Sequence, residues 1–362
     1  MSIFKNITAD DRVSTKTLLH EAIPITGTIV SGTYGVFPND QNVKNFTHGM
    51  FQSVYDYPYL SSSANHIFDV TVGTSVDGLE ATVHASKKDN IYNQMAQVLA
   101  GYDKDGNIQK FDEDGNITDG GSKIDNAVFL SFSRLLVKDE IKKGSFELEL
   151  AASASYTDDI FGERIKITDY NAQNSYKINS PAGEYGILYV SNSAGTPLSG
   201  ATNPTDLPCG LLYYQAGIAV LNTSIFMEGT GSGDGGFLSS SVDFDGASTT
   251  MTGSIIGQEI TASADFFRHR IYNMQFNNTI ELNSTVYFCR VKHNEFNYSS
   301  NPTYLSGSQI RVKSQQDDPP ISYITTVGLY SADNQLLAIG KFSEPIRKDN
   351  NIELTFRARL DY

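Results

Sequence analysis

Tryptophan is absent from this sequence and cysteine occurs only twice, as Cys209 and Cys289. One disulfide is arithmetically possible, but a chain of 362 residues can bury a core without a staple, so two free, packed thiols are expected. Charged residues make up only 19% of the chain, and 27 Lys and Arg are outnumbered by 41 Asp and Glu, for a net charge of −14. An acidic balance repels phosphate, so direct nucleic-acid binding through a broad basic face is not expected. No run approaches the roughly 20 apolar residues of a membrane-spanning helix. The opening residues lack a basic-then-apolar secretion pattern. A soluble protein made in a reducing cytoplasm, without membrane insertion, is the expectation.

The signatures of catalysis are equally scarce. The six histidines, His20, His48, His66, His84, His269 and His293, form no HExxH and no close pair, which leaves a zinc site unsupported. There is no CxxC, no Gly-x-Ser-x-Gly elbow and no Gly-Lys-Ser/Thr phosphate loop. A formal Gly-x-Gly-x-x-Gly at Gly231, Gly233 and Gly236 is followed by Phe237-Leu238-Ser239-Ser240. A dinucleotide loop must open a helix, and this segment does not read as one. Nothing singles out a carboxylate pair among the 41 acids. No enzymatic activity and no cofactor are expected.

What the chain has is 20 Tyr, 20 Phe and 30 Gly, which suits sheets with tight turns. The clearest pattern is at the C-terminus. Residues 322–330 alternate, a polar turn follows, and the chain returns through residues 336–342. In the last run Ile352, Leu354, Phe356, Ala358, Leu360 and Tyr362 fall on one face, with Glu353, Thr355, Arg357, Arg359 and Asp361 on the other. Period two marks half-buried strands. The pattern predicts a three-strand meander with a core-facing inward row, and removal of the last eleven residues is expected to destroy folding. Further strands are expected at residues 23–30, 66–73, 146–150, 165–167, 185–190, 211–214, 218–221 and 284–291. Turns are expected at 37–40, 203–204 and 208–210.

Three helices are expected. The first spans 90–100, with Ile91, Met95 and Val98 on one face and Asp89 as N-cap. The second covers about 126–136 on the spacing of Val128, Phe129, Phe132, Leu135 and Leu136. The third covers 263–276, with Phe267, Ile271 and Met274 aligned. Its Arg268-His269-Arg270 is the densest basic cluster, read as a solvated helix face or as the partner of an acidic neighbouring subunit. The predicted class is therefore mainly β, with antiparallel, sandwich-like sheets, about three short helices and minority α+β content. The predicted divisions are an extended N-terminal arm at 1–60, a mixed α+β body at 61–228 and a β-rich region at 237–362. The boundary signals are weak enough to leave one domain open.

One internal repeat stands out: residues 102–108 (YDKDGNI) are echoed by residues 111–117 (FDEDGNI). Asp103, Asp105 and Gly106 could occupy positions 3, 5 and 6 of a calcium loop, with Asp112 at position 12. The first ligand and the bidentate Glu are then missing. The alternative is two Asp-Gly turns in which glycine adopts positive φ. Asp103, Asp105 and Asp112 are retained as the metal candidates.

Two aromatic clusters are candidates for subunit contacts, because aromatics concentrate in interface cores. They are Phe51, Tyr55, Tyr57 and Tyr59, and then Phe296, Tyr298 and Tyr304.

Residues 17–35 (TLLHEAIPITGTIVSGTYG), 45–73 (NFTHGMFQSVYDYPYLSSSANHIFDVTVG), 287–307 (YFCRVKHNEFNYSSNPTYLSG) and 323–346 (YITTVGLYSADNQLLAIGKFSEPI) resemble a virion structural protein of contractile-tailed bacteriophages, of the cyanobacterial myovirus type. The resemblance covers most of the chain and implies a tail, baseplate or neck component rather than a reaction. It implies other virion proteins as partners, a ring-like homo-oligomer, and location in a virion assembled in the host cytoplasm. A neck (head–tail connector) subunit, a receptor- or carbohydrate-binding virion module and a polymer-degrading hydrolase are the alternatives.

Overall fold

The computed structural model describes residues 4–21, 40–77, 85–116, 121–153, 161–198, 201–227, 238, 258–299, 301–313, 315 and 317–362. The strand expected at 23–30, the turn beginning at residue 37 and the glycine loop at 229–236 lie outside the described residues. The protein is mainly β and antiparallel, as composition and alternation predict. It divides into two compact units, Leu19–Ile280 and Met1–Leu18 with Glu281–Tyr362.

The larger unit is built on an eleven-stranded sheet. Its path runs through Ile271–Gln275, Glu147–Ala151, Arg164–Thr168, Gly183–Asn192, Pro208–Tyr213, Ile218–Asn222, Asn126–Phe132, His66–Thr74, Gln52–Tyr55 and Val43–Asn45, with Lys177–Ser180 beside Gly183–Asn192. Residues expected to belong to an N-terminal arm are thus sheet strands at 43–45 and 52–55. Pro208, expected in a turn, is the first residue of a strand, a position that needs no ladder donor.

The helix Ala85–Leu99 buries Lys88, Ile91, Tyr92, Ala96 and Leu99. It starts five residues before the expected position, so Asp89 lies within it and accepts a hydrogen bond from Thr74 Oγ1 at 3.3 Å. Met95 is half-buried, and Val98, expected inward, is 64% exposed. Gly73 lets this helix come close to the sheet: a Cβ there would sit 3.0 Å from the Tyr92 backbone nitrogen and 3.1 Å from the Phe129 ring. Tyr92, Phe111, Phe129, Tyr213 and Tyr185 then form a chain of ring contacts through the core, at centroid separations of 5.1 to 6.4 Å.

The expected second helix is instead the strand Asn126–Phe132 followed by a single turn, Arg134–Val137. Ala127 to Leu130 are all fully buried. A strand covered on both faces loses its alternation, and an unbroken apolar run then imitates helical spacing. The expected third helix is shorter, Ile260–His269, and Ile271–Gln275 is a strand. The misleading signal was the three-residue step from Ile271 to Met274. A register shift between Ile271 and Asn273 inserts an extra residue, and both Ile271 and Met274 reach the core from a strand.

The basic cluster on that helix is neither solvated nor offered to a neighbour. Arg268 is fully buried; its Nη2 donates to Asp40 Oδ2 at 2.9 Å and to Asp265 Oδ1 at 2.8 Å. Gln52 Nε2 donates to the same Asp265 oxygen at 2.8 Å. Arg270 is also fully buried, and its Nη1 donates to the carbonyls of Ala151 and Ser153 at 3.2 and 2.9 Å. Burial opposes ionisation of Asp40, but the Arg268 hydrogen bond and charge prevail and hold its carboxyl below the usual range. Cys209 and Cys289 are both free, the first buried.

Two other acids titrate the opposite way. Asp169 accepts from the backbone nitrogens of Gly144 and Phe146 at 2.6 and 3.0 Å and from the Tyr214 hydroxyl at 3.1 Å, yet burial pushes it up to about 6. Burial also pushes Glu113 up to about 6, against the hydrogen bond from Asn222. A carboxyl whose folded pKa is raised binds its proton more tightly when folded, so it adds stability as pH falls through 6 toward 4. Asp40 acts in the reverse sense and loses its contribution only at lower pH. These two carboxyls are therefore expected to raise the melting temperature between pH 7.5 and pH 5, while His269, whose pKa burial lowers, acts in the opposite sense. Glu113→Gln, which can still accept from Asn222, should flatten that rise. A melting temperature that falls steadily over this interval in the wild type would contradict the assignment.

The smaller unit has a three-stranded segment and a hairpin. Arg12–Glu21 and Leu354–Asp361 flank Asn278–Val291, with Ser284 opposite Asp361 and Val291 opposite Leu354. Among the described residues Ser322–Tyr330 pairs only with Leu336–Lys348. The three C-terminal strands are present, but they do not form a meander: the last one joins a different sheet. Residues 12–21, assigned to an arm from sequence, are likewise a paired strand. Phe342 of the hairpin meets Phe356 of the other sheet at 4.7 Å, a sandwich-like contact within this unit.

Candidate assembly surface

The two units differ in what they bury. Every member of the hydrophobic core cluster lies between Val54 and Phe276, in the larger unit. Among the described residues of the smaller unit, the buried apolar ones are Val286, Val291 and Tyr304, each 8–9% exposed. The inward row of the last strand, expected to be core, is only half-buried at Leu354, Phe356, Ala358 and Leu360, and Tyr362 is 71% exposed. Of the 24 large apolar side chains exposed among the described residues, 13 belong to this unit, under a third of the chain. Burying one such side chain is worth about 1.5–3 kcal/mol. The unit therefore leaves much of its sheet's driving force unused.

Polar contacts join its strands. The chain end is tied by paired backbone hydrogen bonds between Asn283 and Tyr362, 2.8 and 3.0 Å long. Arg290 Nε donates to Asp11 Oδ1 at 2.6 Å, and Lys5 Nζ donates to Glu295 Oε2 at 2.6 Å. These bonds hold the Asp11 and Glu295 carboxyls below the usual range. Exposed ion pairs of this kind contribute little stability.

One polar hub is buried. Lys348, at the end of the hairpin, donates from Nζ to the carbonyls of His293 and Asp349 at 3.1 and 2.6 Å and to Asn297 Oδ1 at 2.6 Å. Its burial pushes the ammonium pKa down. Ser322 Oγ donates to the Phe296 carbonyl, and Tyr304 Oη donates to the Ile321 carbonyl. The loop at 293–304 is thereby fixed to the base of the hairpin. It presents Phe296 and Tyr298, 42% and 44% exposed, while Tyr304 is buried and packs edge-on against Tyr298 at 4.9 Å. Phe296 has φ +56°, a left-handed conformation that a bulky side chain rarely adopts.

The other aromatic cluster is in the larger unit. Tyr57 and Tyr59 are exposed, with Leu60 beside them at 86%. Tyr55 is half-buried and packs against Tyr59 and His66; Phe51 is half-buried and packs against Phe46 and His48. Of the seven aromatics expected at contacts, Tyr57, Tyr59, Phe296 and Tyr298 face solvent, Phe51 and Tyr55 are half-buried, with Tyr55 packed against Tyr59, and Tyr304 is interior. Lys348, which fixes one of these loops, carries no sequence signal: a lone lysine in an alternating strand reads as solvated.

The repeat forms turns. Asp103 Oδ1 accepts from the backbone nitrogens of Asp105 and Asn107 at 2.9 and 2.8 Å, around Gly106 at φ +86°. Asp105 is paired with Lys104. Asp112 is buried, pairs with Lys123 and accepts from the Asp114 backbone nitrogen at 3.1 Å. Among the described residues no three His, Cys, Asp or Glu side chains are grouped as metal ligands. A polar hollow lined by Lys142, Gly144, Ser145, Gln173, Gln275, Phe276 and Asn277 presents one titratable side chain, Lys142. No helix among the described residues is long and apolar enough to cross a membrane.

Compared with family models, curated proteins and solved structures, the chain has no match.

Proposed function

We propose that this chain is a non-enzymatic structural subunit of a phage virion, in the tail or baseplate, that acts by symmetric subunit–subunit assembly. The observation that carries the reading is the smaller unit: a sheet and hairpin without a core cluster, with large apolar side chains turned to solvent. Obligate interfaces resemble a domain core cut in half, and this unit has that composition. The resemblance of four sequence segments to contractile-tail virion proteins supplies the particle. In this reading the partners are other virion proteins and further copies of the chain in a closed ring, assembled in the host cytoplasm. Nucleic acid is not contacted directly and no membrane is inserted into. The test is fractionation of infected cells. Purified particles should contain the chain in a fixed, multi-copy ratio to the capsid protein; its absence from them would remove the reading.

Phe296 offers a residue-level test. Glycine takes φ +56° without strain, so Phe296→Gly should leave the fold as stable or more stable, by up to about 1 kcal/mol. Incorporation into particles should nevertheless drop. Normal incorporation of this variant would show that the ring is not a contact.

A further inference from the structure

The second copy of the internal repeat begins in a paired segment. Asp112 faces Lys123 across an antiparallel bridge. The Ile124 nitrogen donates to the Phe111 carbonyl at 3.0 Å and the Glu113 nitrogen to the Ser122 carbonyl at 3.1 Å, which fixes that register. Lys123 Nζ contacts Asp112 Oδ2. The Asp112 side chain has no exposed surface, while Lys123 keeps 24% of its own. Among the described residues no other lysine–carboxylate pair encloses its acid so completely; the next, Lys143 with Glu140, leaves 10% of the acid exposed. A third group completes the set. Asp112 Oδ2 and Asp114 Oδ2 lie 3.4 and 3.7 Å from the point where a Cβ on Gly121 would stand, so both carboxyls converge beside that glycine. Burial first, and then the hydrogen bond shared with Asp114, push the Asp112 carboxyl up, whereas the same bond holds Asp114 down. The shared proton therefore resides on Asp112, and Asp114 is the carboxylate.

An amine nucleophile, a carboxylic acid to receive it and a carboxylate to act as base are the parts of an amide-forming site. We propose that Lys123 and Asp112 join covalently, through an isopeptide bond between Nζ and Cγ. Lys123 gives one proton to Asp114 and attacks Asp112 Cγ as the neutral amine. The N–C bond forms, the bond from Cγ to the hydroxyl breaks, and the hydroxyl leaves with a second amine proton as water. An ammonium, a carboxylic acid and a carboxylate become an amide, a water and a carboxylic acid. Nothing is oxidised or reduced, and no further reactant enters. Holding the two groups in contact supplies the proximity that free lysine and aspartate lack in water. The step happens once per chain and needs no partner, so it holds whether or not the chain is a virion subunit. Its product is a loop closed over 11 residues. Such a link restrains the unfolded chain as a disulfide would, in a protein whose two thiols are free.

The experiment is the intact mass of the full chain under denaturing conditions, followed by peptide mapping. The wild type should be lighter than its sequence by one water, and digestion should release a branched peptide that joins the segments around Asp112 and Lys123. An Asp-Gly step such as Asp114-Gly115 can also lose water, by closing a succinimide, but it yields no branched peptide. Lys123→Arg keeps the ion pair and with it the fold, and should have the full sequence mass. Asp114→Ala alters an exposed side chain and should leave most chains unlinked. A folded wild type without the branched peptide overturns the proposal. So does a Lys123→Arg chain that is still one water light, or an Asp114→Ala chain that links as completely as the wild type.

Discussion

Arg268→Ala is expected to destabilise the larger unit by about 2–3 kcal/mol, less than the roughly 3–5 kcal/mol of a wholly buried ion pair because Asp40 and Asp265 keep 38% of their side chains exposed to solvent. Arg268 is fully buried and donates to Asp40 and Asp265, and Asp265 also receives Gln52. Alanine would leave two carboxylates without their cation and open a void at the end of the helix Ile260–His269. Against a total stability of about 5–15 kcal/mol for a typical domain, that is a large fraction. Denaturant titration measures it. Arg268→Met combined with Asp40→Asn and Asp265→Asn should recover part of the loss, because charges removed together leave no unpaired ion. A single alanine variant as stable as the wild type would mean that the buried pair does not hold the helix in place.

Removal of residues 352–362 is expected to abolish incorporation into particles while leaving the larger unit folded. Those residues supply the strand Leu354–Asp361, which pairs with Ser284–Val291 over eight positions, and Phe356, which covers Phe342. Without them the hairpin loses the partner of its covered face. No member of the core cluster, which ends at Phe276, lies in the removed segment. This revises the expectation from sequence that the truncation destroys all folding. Far-ultraviolet spectra and a melting curve of the truncated chain test it: a cooperative transition from the larger unit should persist. A chain with no transition would show that the two units fold only together.

The sequence carried the fold class well and the packing unevenly. Alternation located the hairpin and the last strand, since a strand with one wet face keeps period two. It could not say which strands pair, and so the final strand was placed in a meander when its partner lies some seventy residues upstream. Burial on both faces erased the alternation of residues 127–130, and an extra residue beside Ile271 turned a strand into an apparent helix. Arg268 and Arg270 read as surface because Asp40 and the Ala151 and Ser153 carbonyls come from distant segments, and Asp265, three residues before Arg268, reads by itself as a solvated helix pair. Of the candidate surface, Tyr57, Tyr59, Phe296 and Tyr298 were visible as aromatic clusters. The exposed hairpin face was not, because in an alternating strand nothing in the letters tells which row finds a cover.

The central claim is that the smaller unit is completed by its neighbours. Hydrogen–deuterium exchange of the hairpin, compared between dilute free chain and purified particles, tests it most directly. The account predicts fast exchange over Ser322–Tyr330 and Leu336–Lys348 in the free chain and strong protection in the particle, with the strands of the larger unit protected in both. Equal, strong protection of the hairpin in dilute free chain and particle would contradict it.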